Sequence, residues 1–166
     1  MDPAYSQLGC NHEPIYSYIC RQITDIGYSE FCNFHLHKIR DGASYLEIPN
    51  SVTYIGSRAF WYCSNLSSLV VEEGNPIYDS RDNCNAIIET ASNTLIFGCQ
   101  NTLIPNSVTS IGIFAFSGCS NLTSIDIPNT VTSIGGFAFS GCSNLTSIDI
   151  PNTITTIGSL AFENCI

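Results

Sequence analysis

All three histidines of the chain and three of its nine cysteines lie together near the N-terminus. The six residues are Cys10, His12, Cys20, Cys32, His35 and His37. Cysteine and histidine are the ligands that zinc prefers, and a segment with few charged groups could use a metal to hold its fold. The spacing contains no C-x2-C pair, however. Two interpretations stay open: a capping segment with buried cysteines, or a zinc-stapled module whose ligands are Cys10, His12, Cys32, His35 and His37.

Four other cysteines recur at one position of a repeated sequence block: Cys63, Cys119, Cys142 and Cys165. Identical side chains stacked in register point the same way, which is poor geometry for a disulfide. A buried free cysteine behaves as a small hydrophobic residue, so we predict that these thiols fill the core.

Catalytic motifs are missing from the sequence. It has no G-x-S-x-G elbow, no phosphate-binding G-x-x-x-x-G-K-[ST] loop and no H-E-x-x-H helix. Nothing near the N-terminal cysteines and histidines supplies an oxyanion hole for a Cys–His pair. We therefore expect a protein without enzymatic activity and without a cofactor.

The composition argues against several classes of binding partner. The chain of 166 residues has 44% apolar and only 11% charged residues, with a net charge of −9. Five Lys and Arg residues are too few to neutralise the phosphates of a nucleic acid or an anionic membrane surface. No run approaches the ~20 apolar residues of a membrane helix. The N-terminus shows no signal peptide, so we expect either a cytoplasmic protein or a signal encoded outside this sequence.

A repeat of 23 residues organises the second half of the chain. "IPNSVTSIGIFAFSGCSNLTSID" (104–126) is followed by the nearly identical "IPNTVTSIGGFAFSGCSNLTSID" (127–149), and we call these two blocks the twin coils. Related blocks start at Ile48 and Ile150. A fixed period of 20–29 residues with regular Leu and Ile is typical of a leucine-rich-repeat solenoid.

The pattern within one block predicts its local structure. Leu122, Ile125 and Ile127 alternate with polar residues as in a half-buried strand, and Pro128-Asn129 ends it. A second short strand is predicted over 131–134, and a short helical or 3-10 segment at "FAF" (137–139). No coil can bury its apolar face alone, so stacked coils about 4.8 Å apart must cover one another.

Two segments depart from the repeat. The long coil (71–104) contains apolar runs at 86–90 and 94–99 separated by "ASN", which predicts a β-hairpin. Isoleucines at 15, 19, 23 and 26 have helical spacing, so 14–27 is predicted to be an amphipathic helix. Residues 1–42 would form a capping segment for the repeats of 43–166.

The stretch "LTSIDIPNTVTSIGGFAFSGC" (122–142) resembles the BspA-like leucine-rich repeats of bacterial and protozoan surface proteins. The resemblance covers about residues 43–166. It implies adhesion to host proteins or other microbes and a location at the cell surface or outside the cell. The expected fold is a repeat solenoid, a right-handed leucine-rich-repeat β/α superhelix with short 3-10 segments, about five coils, one β-hairpin and an N-terminal helical cap.

Function is expected on the exposed face of the first strand, which would bind a protein or glycan partner. The candidate residues there are Tyr45, Glu47, Ser68, Val70, Ser124, Asp126, Ser147 and Asp149, with Tyr78 of the long coil as a specificity element. Asp126 and Asp149 would stack one coil apart, either as a solvated pair or around a shared Ca²⁺. An uncapped last coil would also permit end-to-end self-association.

Overall fold

Short parallel strands join successive repeats. In the computed structural model, which describes residues 24–27, 45–60 and 63–165, the strands Ser110–Ile111, Ser133–Ile134 and Thr156–Ile157 pair in parallel, with Ser133 opposite both Ser110 and Thr156. The three paired residues are 23 residues apart in the chain, so the sequence period sets the register of the strand pairing. A Cβ on Gly135 would lie 2.6 Å from the carbonyl carbon of Gly112, which shows how closely neighbouring coils approach.

The described residues contain ten strands and one 3-10 helix, the latter at Arg81–Asn83. The strands are β1 Asp25–Ile26, β2 Tyr45–Ile48, β3 Tyr54–Ile55, β4 Ser68–Val71, β5 Tyr78–Asp79, β6 Ala86–Glu89, β7 Thr94–Gly98, β8 Ser110–Ile111, β9 Ser133–Ile134 and β10 Thr156–Ile157. They form two two-stranded parallel pairs, β1–β3 and β2–β4, and a six-stranded sheet ordered β10-β9-β8-β7-β6-β5.

The predicted hairpin of the long coil is confirmed. Strands β6 and β7 pair antiparallel across the turn at 90–93, where Asn93 has φ +54°. A register shift between Ile87 and Ile88 marks a bulge. Strand β5 adds to the outer edge of the hairpin, and β7 continues into the parallel ladder through β8. The long coil is therefore the place where antiparallel and parallel pairing meet.

Aromatic rings run through the core of the repeats. Phe116 and Phe139 are fully buried, with ring centroids 5.1 Å apart and planes 2° apart, and Phe162 continues the column at 5.4 Å. In the N-terminal part, Phe60 and Phe97 pack with centroids 4.7 Å apart. The second phenylalanine of each "FAF" segment occupies the same position in the core of its coil. Its ring therefore covers the ring of the next coil, as expected for coils that bury one another's apolar faces.

Two local predictions for the repeats are wrong. The segment 122–127 has the expected alternation of buried and exposed residues but forms no strand, since no hydrogen-bond ladder joins it to 145–150 among the described residues. The "FAF" segments are turns rather than helix, because Phe114 and Phe137 adopt left-handed φ values of +61° and +56°. A left-handed residue interrupts the run of right-handed conformations that a 3-10 helix needs.

The N-terminal helical cap is not supported where the structure describes it. Within the predicted helix 14–27, residues Asp25–Ile26 form strand β1, which pairs in parallel with β3. The register Ile26↔Ile55 repeats the one that joins Ile111 to Ile134, so this segment behaves as another coil. Residues 14–23 lie outside the described residues, and the boundary at residue 42 stays a prediction. None of the described helical segments is long and apolar enough to span a bilayer.

Candidate functional site

The exposed face of the first strand is best defined at β2 and β4. Tyr45 lies opposite Ser68 and Glu47 opposite Val70 in a parallel register. Leu46 and Leu69, between them, are fully buried, so the four candidate side chains point away from the core. Val70 is 37% exposed. The structure therefore brings these four predicted residues together on one surface.

The twin coils carry the other members of this face. Ser124, Asp126, Ser147 and Asp149 are all exposed, in segments without an assigned strand. Asp126 and Asp149 precede the Ile-Pro pair of the following block, as Glu47 does in the first. We call the set Tyr45, Glu47, Ser68, Val70, Ser124, Asp126, Ser147 and Asp149 the first-strand face.

Sequence reasoning missed one residue of this face. Leu103 precedes Ile104-Pro105 as Asp126 precedes Ile127-Pro128, and its side chain is 71% exposed. Asn101 Nδ2 donates a hydrogen bond of 3.1 Å to the carbonyl of Ser67, so the turn before Leu103 reaches the residue that precedes β4. The sequence does indicate this residue, because Leu103 is apolar at a position that is acidic in three other coils.

Tyr78 does not belong to an exposed surface, contrary to the prediction. It is 6% exposed, and its hydroxyl accepts a hydrogen bond of 3.1 Å from the amide of Ile55. Burial raises its pKa above the ordinary value. The hydroxyl thus occupies the place where a neighbouring coil would otherwise offer a backbone carbonyl to β3.

Side chains of the long coil also end the β2–β4 pair. The amide of Val71 donates to Ser80 Oγ at 2.9 Å, and this hydroxyl donates to the carbonyl of Ala86 at 2.7 Å. The amide of Leu69 donates to Asn85 Oδ1 at 3.4 Å. Two backbone donors of β4, the amides of Leu69 and Val71, are therefore satisfied by side chains of the long coil.

The cysteines of the repeats are packed as predicted, with one exception. Cys119, Cys142 and Cys165 are free, and each thiol donates to a carbonyl of the preceding coil at 3.2–3.6 Å. Burial raises the pKa of Cys142 to about 12 and that of Cys84 to about 11, so these thiols stay protonated at neutral pH. Cys63 is disulfide-bonded, so the prediction of a free thiol is wrong there.

Metal binding finds no support in the part of the chain that the structure describes. The cysteines and carboxylates described there form no group of three or more that could hold an ion. The proposed zinc ligands Cys10, His12, Cys32, His35 and His37 lie outside the described residues, so the zinc-stapled module stays a prediction.

Comparison with known proteins gives a family. The model of the BspA type leucine-rich repeat region matches in six copies, over residues 19–90 and 87–166. About five coils were predicted from the sequence. The match begins inside the segment expected to be a cap, in agreement with strand β1. No curated protein matches the chain significantly.

Solved structures of bacterial leucine-rich-repeat proteins resemble the chain. A leucine-rich cell surface protein from Faecalibacterium prausnitzii is 30% identical over 87% of this chain and 37% of its own, with a TM-score of 0.67. A leucine-rich repeat protein from Eubacterium ventriosum is 29% identical over 74% of this chain and 34% of its own, with a TM-score of 0.64. The pneumococcal vaccine antigen PcpA is 28% identical over 73% of this chain and 31% of its own, with a TM-score of 0.61.

This chain spans about a third of the length of each of these structures. The repeat fold that they share agrees with the 23-residue ladder, the stacked rings and the packed thiols. With six repeat copies covering residues 19–166, the chain belongs to the BspA-type leucine-rich-repeat family.

Proposed function

We propose that the chain is a non-catalytic scaffold that binds a protein or glycan partner through the first-strand face. In this proposal, the exposed apolar residues Val70 (37% exposed) and Leu103 (71% exposed) provide the centre of the interface. Exposed hydroxyl and carboxylate groups of the neighbouring coils provide its rim, among them Ser124 and Asp126. An apolar centre with a polar rim is the usual anatomy of a protein-binding surface, and the leucine-rich-repeat family suggests an interaction scaffold.

The proposed setting is the bacterial cell surface, with adhesion as the role. The Faecalibacterium protein is described as a cell surface protein and PcpA as a vaccine antigen, both of which suit exposure to a host. The disulfide of Cys63 is consistent with an oxidising compartment. A lack of enzymatic activity is also proposed, since the raised pKa values of the described free cysteines make them poor nucleophiles.

The experiment measures binding of the purified chain to immobilised extracellular-matrix proteins and mucin glycans by surface plasmon resonance. The test variant combines Tyr45→Ala, Val70→Ala and Asp126→Ala, and a second variant carries Leu103→Ser. We expect both to weaken the strongest interaction by about tenfold or more, because residues at an interface centre dominate the affinity.

The control variants lie on another exposed surface: Tyr54→Ala (57% exposed in the wild type) and Ile157→Ser (50% exposed). They should bind as the wild type does, and circular dichroism should show equal folding for all variants. Unchanged binding by both first-strand variants would refute the proposal.

A further inference from the structure

The outer face of the β2–β4 pair places an exposed valine beside a carboxylate. Val70 is 37% exposed, whereas Leu69 and Val71 on either side of it in β4 are buried. Glu47 lies opposite Val70 in the parallel register. Neighbouring strands are about 4.8 Å apart, so the side chains of Glu47 and Val70 rise from the sheet side by side.

A second carboxylate follows Val70 along the strand. The amide of Glu72 donates a hydrogen bond of 2.8 Å to the carbonyl of Ile48, so the pairing continues one residue beyond β4. Since side chains alternate along a strand, Glu72 faces the same side as Val70, about 7 Å further on. Its Oε2 accepts a hydrogen bond of 3.0 Å from the amide of Asn50, which holds the carboxylate at the end of the pair. Val70 is therefore flanked by one carboxylate across the pair and one along it.

The twin coils continue the acidic character of this face. Asp126 and Asp149 occupy the repeat position of Glu47, and both are exposed. The two arginines that the structure describes interact elsewhere, one with Asp79 and one with the ring of Phe114. Among the described residues, the charge of the first-strand face is therefore carried by carboxylates.

We propose, building on the function proposed above, that the first-strand face and the adjoining Glu72 bind a basic segment of a partner protein, with a lysine or arginine side chain lying across Val70. The aliphatic stem of that side chain packs on the valine, and its charged end pairs with Glu47 and Glu72. Lysine and arginine commonly cover apolar surface with their stems while their charged ends stay solvated. Complementary charge then orients the partner and excludes others.

Other occupants suit this face less well. The charged groups of acidic glycans are carboxylates and sulfates, which Glu47 and Glu72 repel. A second copy of the chain carries the same net charge of −9 and is repelled as a whole. A metal ion is not favoured either, since the described residues contain no group of three or more possible ligands.

The test selects a phage-displayed library of random dodecapeptides on the full chain. The enriched sequences are synthesised with a fluorescein label, and their dissociation constants are measured by fluorescence polarisation. Glu47→Gln combined with Glu72→Gln removes both charges but keeps an acceptor for the amide of Asn50. Asp25→Asn combined with Glu163→Gln is the matched control, because it removes two charges from other exposed positions.

Val70→Lys tests the same arrangement while both carboxylates are kept. The introduced ammonium group takes the place of the partner's cation beside Glu47 and Glu72, so it competes with the partner for them. Tyr54→Lys adds the same charge at a side chain of β3 that is 57% exposed, and it is the control for this change. Circular dichroism and urea unfolding compare the folding and stability of all variants.

We expect the enriched peptides to contain Lys or Arg. The Glu47→Gln, Glu72→Gln double variant should weaken their binding by about fivefold or more, because two partly exposed ion pairs are lost. Val70→Lys should weaken it by about tenfold or more, since it removes the apolar contact as well. Both controls should bind within about twofold of the wild type. Added salt should weaken binding to the wild type, because it screens exposed charges.

Enrichment of no peptide, or only of peptides without Lys or Arg, would overturn the proposal. Equal losses in the double variant and its matched control would do so too, since the attraction would then reflect the net charge of the chain. Unchanged binding with lowered stability in the double variant would assign the carboxylates to the chain's own fold. Peptides that lose affinity in the triple variant of the first-strand face, but not in the double variant, would leave the proposed function standing without this basic partner.

Discussion

The twin coils and the long coil are joined to their neighbouring coils by different kinds of contact. The twin coils join by backbone pairing in a fixed 23-residue register and by rings that stack within 1–2° of parallel. The long coil is joined to the preceding coils by side chains: Tyr78, Ser80 and Asn85 receive amide hydrogens of β3 and β4. Repetition thus provides a scaffold through identical contacts, and a single irregular coil requires its own particular residues.

The difference also separates stability from recognition. Identical coils leave surfaces that differ little from one another, whereas the long coil exposes Leu103 and lies beside a cavity lined by Ile96 and Ile113. The proposed first-strand face therefore draws its exposed leucine from the irregular coil, although the regular coils supply most of its other residues.

Truncation of a stacked ring should cause the largest loss of stability. Phe139 is fully buried between Phe116 and Phe162, so Phe139→Ala should lower the free energy of unfolding by about 3–5 kcal/mol. The control is Phe137→Ala in the half-buried outer column, for which we expect about 1–2 kcal/mol. Urea unfolding followed by circular dichroism measures both. Equal losses would show that backbone pairing, rather than the rings, holds the twin coils together.

Asn75 is the corresponding weak point of the long coil. Its Nδ2 donates to the carbonyls of Pro49 and Val52 at 2.9 and 2.8 Å, and its Oδ1 accepts from the amides of Ile77 and Tyr78 at 2.9 and 2.8 Å. Asn75→Ala removes all four bonds and should lower the free energy of unfolding by about 2–3 kcal/mol.

The matched control for this change is Asn129→Ala, at an exposed corner of the second twin coil. Here we expect no more than about 0.5 kcal/mol. Both variants can be followed in the same urea titrations. A loss for Asn75→Ala as small as that for the control would mean that the long coil does not depend on its side-chain contacts.

Buried thiols make stability depend on alkaline pH in both regions. Burial raises the folded-state pKa of Cys142 to about 12 and of Cys84 to about 11, from an ordinary value of 9.0. The unfolded chain loses these protons from about pH 9, while the folded chain keeps them until its own pKa is reached. The stabilisation is therefore complete below pH 9 and decreases as the pH rises.

Each thiol should lower the free energy of unfolding of the wild type by about 1.4 kcal/mol between pH 8 and pH 10. Cys142→Ala and Cys84→Ala each lack one of these thiols. The free energy of unfolding of each variant should therefore fall less than that of the wild type over the same pH range, by the contribution of the missing thiol. Cys142 belongs to a twin coil and Cys84 to the long coil, so equal effects indicate that the two regions unfold together. An effect of Cys142→Ala alone would show that the long coil opens separately.

Structural features that rest on recurring or strongly patterned residues could be predicted from the sequence. The 23-residue period, the packed thiols and the hairpin runs each follow from a recurring or strongly patterned set of residues. The same method could have found a further coil, because "ITDIG" at 23–27 repeats the "VTYIG" of 52–56. The helical spacing of the isoleucines in 15–26 favours a helix instead, although parallel pairing decides the conformation of Asp25 and Ile26.

Features that occur once could not be predicted in this way. The exposure of Leu103 belongs to the one coil that is seven residues shorter between its ladder residue and the next Ile-Pro pair, so the regular coils offer no pattern for it. The left-handed conformation of Phe114 and Phe137 is also hidden from sequence reasoning, since non-glycine residues seldom adopt it. Stacking of Phe114 on Phe137 at 5.0 Å between coils accompanies this unusual backbone.

Tyr78 gives the smallest and most specific test of the comparison. Tyr78→Phe keeps the buried ring but removes the hydroxyl that accepts the amide hydrogen of Ile55, so we expect a loss of about 1 kcal/mol. Tyr54→Phe, at a side chain that is 57% exposed, is the control and should cost less than about 0.5 kcal/mol. Hydrogen exchange should also be faster at the Ile55 amide in Tyr78→Phe, and unchanged at the amide of Ile134 in the twin coils. If exchange at Ile55 were unaffected, the hydroxyl would not end the β1–β3 pair, and the distinction between backbone and side-chain junctions would fail there.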